Sequence, residues 1–168
     1  MITSNIFLGK NIYIERTSSI NNVKIGDNSR IAGNVKIFGS AEHIMEVGKG
    51  CYVGINCFIE GFNAKVTIGD YVSFARNVSL ISGSGPNASL VMQKIFPIVR
   101  GAVTIGNHTW IGGNTIIMPH VYIGKYCVVA ANSFVNSSFP DYSIIGGTPA
   151  KLIRTLTEEE IAKLHADD

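Results

Sequence analysis

Apolar side chains recur every six residues along most of this 168-residue chain. Six sets of three follow one another: Leu8, Ile14 and Ile20; Ile25, Ile31 and Ile37; Val47, Val53 and Ile59; Ile68, Phe74 and Leu80; Ile105, Ile111 and Ile117; Ile123, Val129 and Val135. Neither an α-helix nor an ordinary strand has this period. A unit of six residues fits a short strand and a corner, so three units return the chain to its starting side, one strand spacing further along. The repeat therefore predicts an all-β parallel β-helix of about six coils around a triangular apolar interior.

Residues eighteen apart stack in such a helix, and this stacking predicts a column of asparagines along one edge. Its members occupy the fourth position of the middle hexad in five successive coils: Asn34, Asn56, Asn77, Asn114 and Asn132. Asparagine tolerates the left-handed backbone conformation that a tight corner needs. We expect most of these residues to be turn residues, with one or two also facing a ligand.

The three cysteines, Cys51, Cys57 and Cys127, all occupy the fifth position of a hexad, where small residues let the corner close. An odd number of cysteines without a signal peptide argues against a disulfide framework. We therefore predict that all three are buried small side chains.

Composition excludes two classes of partner. The formal net charge is only +2, which gives no argument for binding nucleic acid. No apolar run approaches the roughly eighteen residues that a membrane span requires, and the N-terminus lacks the pattern of a signal peptide. The sequence therefore predicts a cytoplasmic protein without a membrane span.

The chain is predicted to be a single domain over residues 1–168, with β-helix coils over 8–140. The hexads stop at Leu80 and resume at Ile105, nineteen residues later than the period requires, which predicts an excursion loop over 81–102. Pro and Gly break the pattern after Val135, so 141–156 is predicted to be an extended C-terminal segment. Thr157 and Glu160 are spaced as a capping box, which predicts a short helix over 157–166 that covers the last coil.

Two stretches carry a family resemblance: VTIGNHTWIGGNTIIMPHVYIG and VVAANSFVNSSFPDYSIIGGTPAKLIR. With the hexads, they resemble the left-handed parallel β-helix hexapeptide acyltransferases, particularly the maltose, galactoside and polysaccharide O-acetyltransferases. The resemblance implies a homotrimer that binds acetyl-CoA in a groove between neighbouring protomers and transfers its acetyl group to a sugar or related small acceptor.

Matching motif positions carry the family's donor site onto this sequence. Gly113 of WIGG and Ala131 of VVAANS would present backbone groups to the pantetheine, and the two residues are eighteen apart, so they should share one corner. Pro149, Lys151 and Arg154 of GTPAKLIR would lie at the adenosine and phosphate end, where charge-assisted contacts are expected.

The acceptor side departs from the family pattern. In the resembling enzymes the excursion reaches the acceptor and carries the catalytic histidine, whereas ISGSGPNAS contains none. Stacking offers His120 instead, because it falls in the column of Gly83 at the root of the loop. We predict His120 as the base, and Asn56, Asn77 and Ser84 as acceptor-binding residues.

Two alternatives remain open. The acceptor could be an amine, which attacks a thioester without first losing a proton, so that proximity and carbonyl polarisation would suffice. The chain could also be a weakly active or inactive trimeric scaffold that binds CoA or a partner.

A metal-dependent hydratase of the same β-helix class would need three converging histidines. His108 and His120 fall on different corners with no third histidine spaced to join them, so no metal site is predicted.

Overall fold

The structure, a computed structural model, describes residues 4–166. The chain winds through six coils of three short strands each. The strands of the first three coils are β1 (Ile6–Leu8), β2 (Tyr13–Ile14), β3 (Ser19–Asn21), β4 (Val23–Ile25), β5 (Arg30–Ile31), β6 (Lys36–Gly39), β7 (Met45–Val47), β8 (Tyr52–Val53) and β9 (Phe58–Gly61). The fourth coil has β10 (Val66–Ile68), β11 (Ser73–Phe74) and β12 (Ser79–Ile81), after which the excursion contains β13 (Gly83–Ser84), α1 (Leu90–Gln93) and β14 (Val99–Arg100). The remaining elements are β15 (Val103–Ile105), β16 (Trp110–Ile111), β17 (Ile116–Ile117), β18 (Tyr122–Ile123), β19 (Val128–Val129), β20 (Phe134–Val135), β21 (Ser143–Gly147), β22 (Ala150–Thr155) and α2 (Glu158–Leu164).

Each coil gives one strand to each of three parallel sheets, and the register follows the hexads. Phe74 pairs with Val53 below and Ile111 above, and Leu80 pairs with Ile117 across the excursion. The first corner joins the first sheet to the second, the second corner joins the second sheet to the third, and the third corner joins the third sheet to the next coil. The predicted fold class is confirmed: parallel coils form an all-β solenoid of about six turns with a C-terminal helix.

The hexad side chains fill the interior of the prism. Every member of the sets from Ile25 to Val135 is buried, and Phe74 leads the fully buried side chains of the described residues by volume. The members of the first set, Leu8, Ile14 and Ile20, are more exposed because their coil lies at the end of the stack. Burial of apolar area from water is the main stabilising term for such a core.

The fifth-position side chains close the corners by bonding to the next coil. The Sγ atoms of Cys51 and Cys57 donate to the carbonyl oxygens of Gly69 (3.1 Å) and Ala75 (3.0 Å). Burial raises the pKa of the Cys51 thiol to about 11. All three cysteines are buried and free, as the sequence predicted, so they are structural residues with poor thiolate character.

An aromatic column runs up the first corner. The rings of Tyr71, His108, Tyr126 and Tyr142 stack at centroid distances of 5.0, 4.9 and 5.5 Å. All four residues have positive φ, so their side chains leave the corner in the same direction. His165, which caps the C-terminal end of α2, packs edge-on against Tyr126. This packing accounts for His108 without a chemical role.

The C-terminal segment closes the last coil. β21 extends the second sheet and β22 pairs antiparallel to it. Where a helix was predicted over 157–166, α2 covers Glu158–Leu164, with Thr157 as N-cap and the Thr157–Glu160 capping box formed. Within the described part of the chain, no helix is long and apolar enough to cross a membrane.

The contact between Arg154 and Glu160 predicts an acid-sensitive helix. The Arg154 guanidinium donates to both carboxylate oxygens (2.7 and 2.9 Å), which with the Thr157 backbone amide lowers the pKa of Glu160 to about 2. A carboxylate with a depressed folded-state pKa stabilises the fold above its unfolded value of about 4.3, and this stabilisation is lost as the pH falls towards 2. Amide hydrogen exchange in α2 should therefore accelerate between about pH 4.5 and 2, relative to the coils. Glu160→Gln should lose this dependence and Glu159→Gln should keep it; an unchanged profile in Glu160→Gln would contradict the assignment.

Candidate functional site

The excursion leaves and re-enters the prism at the third corner. β13 and β14 pair antiparallel, with Gly83 opposite Arg100 and Ser84 opposite Val99. The Gly101 amide donates to the Ser82 carbonyl at 2.9 Å, which closes the loop at its base. The excursion is thus a small hairpin with the four-residue helix α1 at its tip.

A polar network that the sequence did not predict anchors this hairpin. The Glu60 carboxylate accepts bonds from the Ser82 amide and hydroxyl, both at 3.2 Å, and from the Asn63 side-chain amide at 3.4 Å. Arg100 Nε, on the returning strand, donates to Asn63 Oδ1 at 3.4 Å. The network therefore ties both ends of the excursion to the coil below. Hexad spacing gave no signal for Glu60, Asn63 or Arg100, because these residues lie outside the repeated core positions.

A cavity of about 440 Å³ lies between the hairpin and the two coils above it. Ser84, Phe96 and Val99 line it from the excursion, and Met118 and Asn136 line it from the third corner. This volume suits a small ligand of about monosaccharide size. The predicted acceptor-binding residue Ser84 is therefore part of a pocket wall.

His120 stands beside this pocket. It is exposed, has a φ of +68°, and follows Pro119, which lines the cavity. Its ring packs against Gly101: a Cβ at Gly101 would lie 2.4 Å from Cγ of the imidazole. His120 is thus at the base of the hairpin, and its role as a base stays a prediction.

Four of the five asparagines in the predicted column form a hydrogen-bonded ladder along the second corner. Asn56 donates to Asn77 (3.3 Å), Asn77 to Asn114 (2.9 Å) and Asn114 to Asn132 (3.1 Å), each from Nδ2 to Oδ1. All four have φ between 58° and 61°. The ladder shows a corner role for Asn56 and Asn77, and acceptor binding by either stays a prediction.

Gly112 and Gly113, two adjacent glycines beside the ladder, differ in what surrounds them. A Cβ at Gly112 would lie 2.5 Å from the Ala131 amide nitrogen, so packing between coils requires glycine there. A Cβ at Gly113 would lie 3.2 Å from the Arg76 carbonyl oxygen, a tight contact, and 3.7 Å from Arg76 Cγ, and the φ of Gly113 is not positive. In the same corner position, Arg76 lies one coil below Gly113 and Ile55 lies two coils below. Backbone strain does not require glycine at 113, and a side chain there would be tight against the Arg76 carbonyl. Glycine at this position also lets a ligand approach the backbone closely.

The C-terminal residues continue this corner. Thr148 Oγ1 donates to the Asn132 carbonyl at 3.2 Å, which places the cis Thr148–Pro149 bond at the end of the ladder. Lys151, on β22, is exposed and has no ion-pair partner within residues 4–166. Arg154 is instead held by Glu160. Of the two predicted phosphate-binding cations, Lys151 is thus the one whose charge is uncompensated.

The two halves of the predicted site lie on different corners of one protomer. Gly113, Ala131 and the ladder are at the second corner, and the pocket is at the third. Asn77 and Ser82 stand at the two ends of one strand of the third sheet, five residues or about 16 Å apart. The residues described here contain no group of three His, Cys, Asp or Glu side chains that could hold a metal ion.

Comparison with known proteins supports the motif reading. The profile described as "Bacterial transferase hexapeptide (six repeats)" matches residues 102–137. A probable macrolide acetyltransferase of Lysinibacillus sphaericus is 33% identical over 127 residues, which are 65% of this chain and 70% of that protein. The chain belongs to the bacterial hexapeptide transferase family. The resemblance drawn from the sequence is therefore confirmed.

Other members of the hexapeptide transferase family match over part of their length. Galactoside O-acetyltransferase of Escherichia coli (strain K12) is 33% identical over 116 residues, covering 69% of this chain and 56% of that protein. The chain likewise spans 61% of a putative acetyltransferase of Saccharomyces cerevisiae. Among solved structures, AntD, an N-acyltransferase from Bacillus cereus in complex with dTDP and 3-hydroxybutyryl-CoA, superposes with a TM-score of 0.82 at 23% identity, over 97% of this chain and 88% of that chain. This likeness shows the shared fold.

Proposed function

We propose that this protein transfers an acetyl group from acetyl-CoA to a hydroxyl or amino group of a sugar or related small acceptor, acting as a cytoplasmic homotrimer. The proposal rests mainly on Gly113, where no side chain covers the backbone. Gly113 and Ala131 share the second corner, and the C-terminal segment with Lys151 continues it. Relatives named as acetyltransferases support the reaction class. They include an O-acetyltransferase, while the solved structures include an N-acyltransferase, so both acceptor atoms stay in the proposal.

The donor is assigned to the second corner. The pantetheine arm would run along the coils, where Gly113 and Ala131 leave the backbone accessible to its amides. Lys151 would meet the phosphates as an uncompensated cation, with Pro149 beside the adenosine. Arg154 would have to share its guanidinium with Glu160, so we assign it the smaller part of the phosphate interaction.

The separation of the two halves supports the homotrimer. A donor at the second corner would lie about 16 Å from the pocket of its own protomer, and we infer that the excursion of a neighbouring copy completes the site. Large apolar side chains stand exposed at the second corner and on the two sheets that flank it: Tyr52, Ile55, Phe58, Trp110 and Ile116. Exposed apolar area of this kind marks protein interfaces, and packing against two further copies would bury it.

The chemistry is acyl transfer through a tetrahedral intermediate. The acceptor oxygen or nitrogen forms a bond to the thioester carbonyl carbon, the carbon–sulfur bond breaks, and CoA leaves as the thiol. His120 would take the proton of a hydroxyl acceptor and return it to the leaving sulfur. Ser84 would orient the acceptor, because an unassisted serine hydroxyl is too weak a base to deprotonate it. An amine acceptor would need His120 less, because it attacks in its neutral form.

Calorimetric titration of acetyl-CoA tests the donor site. We expect micromolar binding to a trimeric wild type and a loss of at least about 10-fold in Gly113→Val, equivalent to about 1.4 kcal/mol, because the new side chain occupies the path of the pantetheine. Gly33→Val is the matched control: it places the same side chain at the same corner position of the second coil, where a Cβ meets only side-chain atoms at 3.3 Å. Lys151→Ala should weaken binding more than Arg154→Ala.

Failure of this titration has a definite reading. A folded trimer that does not bind acetyl-CoA would overturn the acyltransferase proposal and favour a partner-binding scaffold, the function suggested by the excursion's lack of histidine. If Gly113→Val binds acetyl-CoA with wild-type affinity, the assignment of the donor to the second corner is wrong.

A further inference from the structure

The imidazole of His120 packs against a buried glycine. Gly101 lies at the returning end of the excursion, and the three nearest atoms to a Cβ built on it are Cγ, Nδ1 and Cδ2 of His120, at 2.4, 2.4 and 2.6 Å. The φ of Gly101 is not positive, so backbone strain does not require glycine at this position. The α-carbon of Gly101 therefore faces the ring directly, and a side chain there would displace the ring.

No hydrogen bond within residues 4–166 orients this imidazole. The backbone carbonyl of His120 accepts from Ser138 Oγ at 3.5 Å, whereas the ring nitrogens have no partner in this part of the chain. A catalytic base is normally oriented by a third group that bonds to its other ring nitrogen. The restriction on the His120 ring therefore has to come from packing, and Gly101 is in direct contact with it.

The anchor of the excursion fixes the position of Gly101. Its amide donates to the Ser82 carbonyl at 2.9 Å, and Ser82 is fully buried. The Glu60 carboxylate in turn accepts from the amide and the hydroxyl of Ser82, both at 3.2 Å. Hydrogen bonds to a charged acceptor are stronger than those between neutral groups. A continuous path of contacts thus joins Glu60, in the third coil, to the His120 ring.

We propose that Gly101 and Glu60 are positioning residues for acyl transfer. Gly101 provides the surface against which the His120 imidazole packs, and Glu60 fixes that surface by holding the base of the excursion. This inference rests on the proposed function, in which His120 takes the proton of a hydroxyl acceptor. Both residues act through the direction in which the ring nitrogen points, since a misplacement of about 1 Å can lower a rate about 100-fold.

Gly101→Ala tests the packing surface without disturbing the coils. The new methyl group would meet the ring of an exposed side chain, which can turn into solvent. With acetyl-CoA and methyl β-D-galactoside as the acceptor, we expect kcat to fall about 10- to 100-fold. The affinity for acetyl-CoA and the midpoint of urea unfolding should stay at their wild-type values. Gly33→Ala is the matched control: the nearest atoms to a Cβ there are side-chain atoms at 3.3 Å, and turnover should be unchanged.

A double-mutant cycle shows whether Gly101 acts through the imidazole. In the His120→Asn background there is no ring to displace, so adding Gly101→Ala should change turnover by less than about 2-fold. The same loss in both backgrounds would overturn the inference, and so would wild-type turnover in Gly101→Ala alone.

NMR reports the position of the ring without turnover. The four histidines are isotopically labelled, and the His120 ring signals are assigned by their absence in His120→Asn. Gly101→Ala should shift these signals, while the other histidines keep their wild-type shifts. In the wild type, the ring protons should show nuclear Overhauser contacts to the α-protons of Gly101. Unchanged His120 signals in Gly101→Ala would overturn the inference.

Glu60→Gln tests the more distant positioning residue. The amide keeps the shape of the carboxylate but loses its charge and one of the two acceptors for Ser82. The His120 signals should shift from their wild-type positions, and kcat should fall about 3- to 10-fold, the range for one weakened hydrogen bond. Glu42→Gln is the control, since Glu42 is exposed and makes no side-chain hydrogen bond or ion pair within the described residues. Wild-type His120 signals in Glu60→Gln would overturn the role of Glu60.

The kinetic and NMR readouts separate this inference from the proposed function. If the wild type and Gly101→Ala acetylate the galactoside at the same rate, the proposed function stands and the positioning role is rejected. If the wild type does not bind acetyl-CoA, the proposed function is rejected, and the NMR comparison alone decides whether Gly101 holds the ring.

Discussion

Replacement of His120 with asparagine is expected to lower kcat/KM for acetylation of a hydroxyl acceptor by about 10²- to 10⁴-fold, the usual contribution of a general base. Asparagine is the informative substitution, because His120 has a φ of +68° and asparagine occupies the equivalent backbone conformation along the second corner. Alanine would add backbone strain to the loss of the imidazole. The affinity for acetyl-CoA should stay at the wild-type value, since the proposed donor contacts lie on a different corner.

The control for this experiment is His43→Asn. His43 lies in the turn between β6 and β7 and bonds to Ser40 through backbone atoms. Its replacement should leave turnover unchanged. Unchanged turnover of a hydroxyl acceptor in His120→Asn would reject His120 as the base. If the protein acetylates only an amine acceptor, and His120→Asn lowers that turnover by only a few-fold, the amine mechanism is favoured.

Truncation of Phe74 to alanine is expected to lower the free energy of unfolding by about 3–5 kcal/mol, the range for a buried phenylalanine. Phe74 is 0% exposed in the fourth coil, between Val53 and Ile111. The short paired strands above and below cannot move together to fill the resulting cavity without breaking register. Such a loss is a large part of the 5–15 kcal/mol by which a domain is typically stable.

Urea unfolding at one fixed protein concentration measures this loss, because association with other copies would otherwise change the apparent stability. Phe62→Ala is the control: Phe62 is 65% exposed, and the expected change is within about 0.5 kcal/mol. A loss below about 1 kcal/mol in Phe74→Ala would contradict the description of the interior as tightly packed.

The coils could be predicted from the sequence because their repeat is local: one apolar side chain per hexad sets both the strand and its pairing partner. The asparagine ladder and the alignment of Gly113 with Ala131 followed from the same arithmetic. The interruption of the repeat also predicted the position of the excursion. Its hairpin conformation was not predicted, because it depends on Glu60 and Asn63, residues that lie in an earlier coil and carry no repeat signal. The apolar pocket was equally hidden, since Phe96 and Met118 meet only when the hairpin folds back.

The closure of the excursion at its base has an evolutionary consequence. The Gly101–Ser82 hydrogen bond brings the chain back to the corner it left, and Leu80 still pairs with Ile117 in register. The number and identity of the intervening residues are thus uncoupled from the pitch of the solenoid. Selection can lengthen, shorten or rewrite this one segment while the scaffold and its proposed donor corner are inherited unchanged, so a different pocket wall can arise without a new fold.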